Sequence, residues 1–165
     1  MLAYPPMVRM EVFRICKYKR ARDLSGFGAS LKGQRWNRRN TFMLYTAENR
    51  SLAYLEIMAH LGNVYPIEDF TVITIKIPDD SIILLDPQTL PSDWSKILEP
   101  GGLATFTDTW LKEEQSIALG VPSAIVPQEI NYLLNPLHPD FQKVMIINVE
   151  EKFTLDERFF KDVIE

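Results

Sequence analysis

Seven residues constrain this chain more than any others. In Thr71-Val72-Ile73-Thr74-Ile75-Lys76-Ile77, Thr71, Ile73, Ile75 and Ile77 face one way and Val72, Thr74 and Lys76 the other. That period of two belongs to a strand with one side on a core. Pro78-Asp79-Asp80 then ends it. Further strands are expected at Val12–Cys16, with Phe13 and Ile15 opposite Arg14, and at Phe42–Tyr45, Ser81–Leu85 and Lys143–Val149. Val121–Val126 is β-branched but holds Pro122, which predicts an edge or irregular strand. A helix is expected from about Ala47 to Leu61, with Thr46 as N-cap and Gly62 beyond its end. Asp93–Leu98, Thr107–Leu119 and Asp156–Ile164 read as further helices, and Ala21–Asn40 as a loop. Strands and helices mix without regular βαβ alternation. The expected fold is therefore α+β, a mixed or antiparallel sheet core with flanking helices. At 165 residues the chain suits a single domain, residues 11–165, behind a leader at 1–10.

Charge and side-chain inventory exclude several functions. With 18 basic against 22 acidic residues the net charge is −4, so direct nucleic-acid binding is not expected, although basic clusters at Lys17–Arg22 and Lys32–Arg39 leave room for a local anion site. The single cysteine, Cys16, forbids an internal disulfide and reads as a core filler. His60 and His138 with one thiol make no zinc set, so no metal is expected. No signal-peptide pattern or membrane-length apolar run stands out, which predicts a cytoplasmic protein.

One carboxylate sits where an apolar residue is expected. At ~100° per residue with Leu52 at zero, Leu55 falls at ~300°, Ala59 at ~340°, and Glu56 at ~40°, within their arc. A desolvated glutamate needs partners. Arg14, on an otherwise apolar strand, and Arg35, beside Trp36 in a glycine-bordered loop, could face it across a cleft that holds an anion. Gly26-Phe27-Gly28 lacks the third glycine of a dinucleotide fingerprint, and no Walker loop exists. Ser123 is not in a nucleophile elbow.

Gly33-Gln34-Arg35-Trp36-Asn37, Leu44-Tyr45, Ser51-Leu52-Ala53-Tyr54-Leu55-Glu56, Val121-Pro122-Ser123-Ala124 and Asn131-Tyr132-Leu133-Leu134-Asn135-Pro136 with His138 together resemble the RES domain family, from Val12 to Val149. One departure is Thr107-Asp108, where the family usually has Gly-Asp before Trp110. The resemblance implies a toxin of a bacterial type II toxin–antitoxin system with a fold similar to ADP-ribosyltransferase toxins. It implies NAD⁺ as substrate rather than bound cofactor, cleaved between nicotinamide and ribose by a phosphorylase or glycohydrolase activity, with phosphate as one candidate acceptor. It also implies an antitoxin whose helix-turn-helix region binds DNA and whose C-terminal part blocks the cleft, and it is compatible with a homodimer inside that complex. ADP-ribosylation of a protein, or a non-enzymatic binding module, are the alternatives.

The chemistry assigns roles on that reading. Cleavage develops positive charge at the anomeric carbon, and Glu56 is the candidate to stabilise it. Arg14 and Arg35 would hold pyrophosphate or acceptor phosphate through bidentate bonds. Ser123 would bond a ribose hydroxyl or Glu56 rather than attack. Tyr45 would stack on the nicotinamide ring or be a half-buried strand aromatic, and Trp36 would be a wall. Asn135 and His138 would fix the loop after Ser123, with contact to ligand left open for His138.

Overall fold

The structure is a computed structural model, and it describes residues 9–163. Strand β1 (Arg9–Lys17) and strand β3 (Phe70–Pro78) pair antiparallel along their whole length, from Arg9↔Pro78 to Lys17↔Phe70. They anchor a seven-stranded sheet with β2 (Leu44–Ala47), β4 (Ile82–Leu84), β5 (Ala118–Pro122), β6 (Ile130–Leu134) and β7 (Met145–Val149), in the order β4-β5-β6-β2-β1-β3-β7. Among the described residues only β4 and β5 are parallel. The architecture is the expected α+β fold, with a mixed sheet and few helices. β1 meets β2 at a single pair, Phe13↔Ala47, whereas β2 and β6 are paired from Leu44↔Leu134 to Ala47↔Asn131.

Alternation divides the buried side chains between the two faces. Val12, Cys16, Leu44, Ile73, Ile75, Ile77, Tyr132 and Leu134 pack on one. The other carries Phe13, Ile15, Ala47, Phe70 and Val72, covered by helix α2 (Arg50–Leu61) through Leu52 and Ala53 and by the C-terminal Leu155 and Phe160. Farther along this second face, Leu119, Val121 and Leu133 pack under Trp36, Met43, Leu103 and Trp110, the last from helix α3 (Thr105–Lys112).

Several boundaries differ from those read in the sequence. The N-cap of α2 is Asn49, whose side chain accepts Leu52 N at 2.7 Å; Thr46 instead lies in β2 and donates to the Tyr132 carbonyl at 2.8 Å. The stretch expected as one helix at Thr107–Leu119 is α3 followed by β5. Trp110 Nε1 donates to Ser116 Oγ at 2.8 Å, and Glu114 takes a positive φ of 51°, so the chain turns into the sheet. β5 is an interior strand, and Pro122 is tolerated because it is the last residue. β6 had no counterpart in the sequence reading, and the expected loop at Ala21–Asn40 contains the short helix α1 (Phe27–Lys32). Asp93–Leu98 yields one 3-10 turn, Trp94–Lys96, and the C-terminal helix is a 3-10 segment, Glu157–Val163, kinked at Phe160. Residues 1–8 of the expected leader, and Ile164, lie outside the described residues, while Arg9 and Met10 already belong to β1.

Candidate active site

Register brings one row of residues together on the α2 side of the sheet. Phe13 of β1 lies beside Ala47 of β2, Ala47 beside Asn131 of β6, and Asn131 beside Val121 of β5. Ser123 follows Val121 by two residues, just beyond the end of β5. Helix α2 crosses above this row, seated by Leu52 and Ala53, and Glu56 lies one turn beyond Leu52. Its core-facing residues are Leu52, Ala53, Ile57, Met58 and Leu61, whereas Leu55 and Ala59, expected to be buried, are exposed. The apolar stripe is therefore rotated from the expected arc, and Glu56, half-buried, lies at its margin instead of its centre.

Two donors grip the same carboxylate oxygen. Ser123 Oγ donates to Glu56 Oε1 at 2.8 Å and Asn131 Nδ2 donates to it at 2.5 Å. Ser123 is fully buried, and its oxygen also accepts the backbone N–H groups of Ile125 and Val126, both at 3.1 Å. One donor and two acceptor sites exhaust a hydroxyl. Ser123 is thus a strut between the loop after β5 and Glu56, with no lone pair left for nucleophilic attack.

Arg35 approaches from a different loop. Its Nε donates to the Ile97 carbonyl at 2.8 Å and its Nη2 to that of Ser95 at 3.3 Å, so one edge of the guanidinium is tied down while Nη1 has no protein acceptor among the described residues. Burial pushes its pKa down, and the negative charge of Glu56 pulls it back up. Arg35 and Glu56 therefore feel each other without closing to the 4.0 Å of an ion pair. The loop is rigid because Asn37, 1% exposed, donates to the carbonyls of Ala29, Arg38 and Thr41 and accepts Tyr45 Oη at 2.7 Å. Gly33, at φ +73°, leaves no room for a side chain, since a Cβ there would stand 2.9 Å from the Asn37 carbonyl oxygen. Burial raises the Tyr45 pKa far above its ordinary value, against weaker lowering by a Trp36 backbone hydrogen bond and by Arg35, and the phenol stays neutral.

The family model of the RES domain matches residues 10–156. The chain belongs to the RES domain family. It is 37% identical over 153 residues to "Toxin Res" of Photorhabdus laumondii, covering 92% of this chain and 98% of that toxin. It is also 37% identical over 147 residues to the "Prs ADP-ribosylating toxin" of a Sphingobium strain, covering 86% and 89%. Among solved structures, the M. tuberculosis MbcT-MbcA toxin-antitoxin complex contains a chain that superposes with a TM-score of 0.63 at 18% identity, over 95% of this chain and 90% of that one; this likeness concerns the fold. At such identities over nearly its whole length, the protein is a RES-domain toxin.

Not every residue that the sequence singled out reaches the RES-domain site. Arg14 is the main correction. It pairs with Ile73 on β3 and shares the Val12 and Cys16 face, opposite the face that α2 covers. Its Nη1 donates to the Asp23 carbonyl at 3.1 Å. It therefore forms no clamp with Arg35 around Glu56. Trp36 is a wall, 4% exposed and tilted against Trp94 at 6.2 Å. Asn135 follows the far end of β6, four residues from Asn131, roughly 13 Å along an extended chain. It accepts Leu137 N at 3.1 Å, and its carbonyl takes His138 N. His138 accepts Asp140 N on Nδ1, which leaves Nε2 to donate to the Glu114 carbonyl at 3.0 Å. Both fix the loop after β6, away from Glu56. Cys16 is core, its thiol pushed up by burial. The sequence reading gave no role to Asn37 or Asn131, though both stand inside the motifs that carry the family resemblance. Recognising β6 as a strand would have placed Asn131 on the Leu133 face. Among the described residues, no three His, Cys, Asp or Glu side chains come together as metal ligands, and no helix is long and apolar enough to cross a membrane.

Proposed function

We propose that this RES domain is the toxin of a toxin–antitoxin pair and that it breaks the bond between nicotinamide and ribose in NAD⁺, with inorganic phosphate or water as acceptor. The observation that carries the reading is the Glu56 carboxylate, held by Ser123 and Asn131 within electrostatic reach of Arg35. As the glycosidic bond breaks, its electron pair goes to the pyridine nitrogen and nicotinamide leaves neutral, so no general acid is needed. Positive charge gathers on the sugar, and a fixed carboxylate nearby stabilises it. Opposite charges ~4 Å apart attract by ~4 kcal/mol at an effective dielectric of ~20, about a thousandfold in rate if felt only in the transition state. The free guanidinium edge of Arg35 suits a phosphate oxygen of the substrate or of the acceptor. Tyr45, neutral and tied to Asn37, closes the wall beside it.

Two features remain from kinship. The fold neighbour was solved as a toxin–antitoxin complex, which supports an antitoxin partner; a helix-turn-helix region in that partner would supply DNA binding, which a net charge of −4 does not favour in this chain. The Sphingobium relative is named as ADP-ribosylating, which favours a second reading, transfer of ADP-ribose to a protein. Purified protein incubated with NAD⁺ should release nicotinamide, and the acceptor follows from comparing buffer, added phosphate and added protein with labelled NAD⁺. Glu56→Gln should lower that release by ~100-fold or more. A wild-type protein that leaves NAD⁺ intact with every acceptor rules the reading out.

A further inference from the structure

Asn131 sits in the middle of the sheet face, between Ala47 of β2 and Val121 of β5. Its amide cannot be turned over, because Oδ1 would then face a carboxylate oxygen, acceptor against acceptor. Nδ2 therefore faces Glu56, and Oδ1 is left sealed from solvent without a hydrogen-bond partner among the described residues. A buried acceptor without a partner is destabilising. A leucine of nearly the same shape would fill the space without a stranded atom of its own, and Glu56 Oε1 would keep Ser123 as its donor. Stability alone gives no reason for an asparagine at this position, whereas its N–H does.

We propose that Asn131 is a positioning residue for the reaction above, retained for its amide N–H. With Ser123 it occupies both lone pairs of Glu56 Oε1, so that Oε2 alone is presented to the sugar cation. The proposal rests on Glu56 being the catalytic carboxylate. Oε2 has no protein partner among the described residues, and the charged group felt across the site is Arg35, with Tyr45 beside it. Rotation about the last side-chain bond of Glu56 would exchange the two oxygens, but it must break both hydrogen bonds at once. Ser123 is itself fixed by Ile125 and Val126, so the carboxylate is oriented from two strand ends.

The test uses the full chain with Asn131→Leu and Asn131→Asp. Asn131→Leu removes the stranded acceptor along with one donor to Glu56, so its melting temperature should stay within a few degrees of wild type. It should nevertheless lose roughly tenfold to a hundredfold in kcat for nicotinamide release, with KM within about threefold. Asn131→Asp keeps the shape but sets a second carboxylate against Glu56. The acid limb of its kcat/KM profile should move up by about one pH unit or more. Wild-type kcat in Asn131→Leu overturns the proposal, as does a loss of kcat that tracks a fall in melting temperature. An acid limb of kcat/KM that stays in place in Asn131→Asp also overturns it. A wild-type protein inert toward NAD⁺ ends the functional reading and this proposal with it, whereas an active wild type matched in kcat by Asn131→Leu overturns this proposal alone.

Discussion

Saturation decides which side chains can react. Ser123 has every hydrogen-bonding site occupied, Asn37 serves three carbonyls and one phenol, and Tyr45 is buried and neutral. Apart from the sealed Asn131 Oδ1, the groups of the site with bonding capacity to spare among the described residues are Glu56 Oε2 and the free edge of Arg35, and those are the groups a charged substrate needs. Tyr45→Phe tests the support. It removes the hydroxyl and strands Asn37 Oδ1, at about 1–3 kcal/mol, which in a domain of this size lowers the melting temperature by several degrees. A thermal melt unchanged by Tyr45→Phe would show that the Asn37 amide and the backbone hold the loop under Arg35 without the phenol. Arg35→Lys keeps the charge but loses the fork. It should break the Ile97 and Ser95 anchors together and raise KM for NAD⁺ by roughly tenfold, read from initial rates.

Among the elements, α2 carries most of the function and is held at three places. Asn49 caps its start, Leu52 and Ala53 bury its middle, and Tyr54 accepts Asp156 N at 3.0 Å while packing on Phe153 and Phe159. Asn49→Ala should cost about 1 kcal/mol, visible as a lower urea midpoint at unchanged m-value. Since the cap lies two turns from Glu56, kcat should hold; a large kcat loss would show that the cap also sets the carboxylate's position. Strand β3 was legible from sequence because seven residues alternate without interruption. β5 and β6 were not. β5 is buried throughout and so loses the polar side that alternation requires, and in β6 Asn131 bonds Glu56 while the Tyr132 ring is buried in the core, so neither marks a solvent face.

Across the whole molecule, charge and topology act separately. Glu68, paired with Lys17 and Lys19, and Asp156, paired with Arg158, have pKa values lowered to about 2 from 4.5 and 3.8. A depressed carboxyl gives stability that is complete above its unfolded pKa and is lost as pH falls through the folded one. Urea midpoints should therefore decline between about pH 4.5 and pH 2. Because both pairs are exposed, 1 M salt should flatten the decline, and Glu68→Gln should remove part of it. A decline insensitive to salt would point to buried carboxyls instead. The amino-acid sequence alone determined the α+β class, the β3 strand, the helix bearing Glu56 and the family, because these follow from local periodicity and from motifs read in order. Which residues meet was decided by tertiary structure. Arg14 and Glu56 look like partners until strand register sends them to opposite faces of one sheet, and Asn131 gains its place only when β6 is laid between β2 and β5. A period of two says that neighbouring side chains part company; only the pairing of distant strands says which of them reach the same carboxylate.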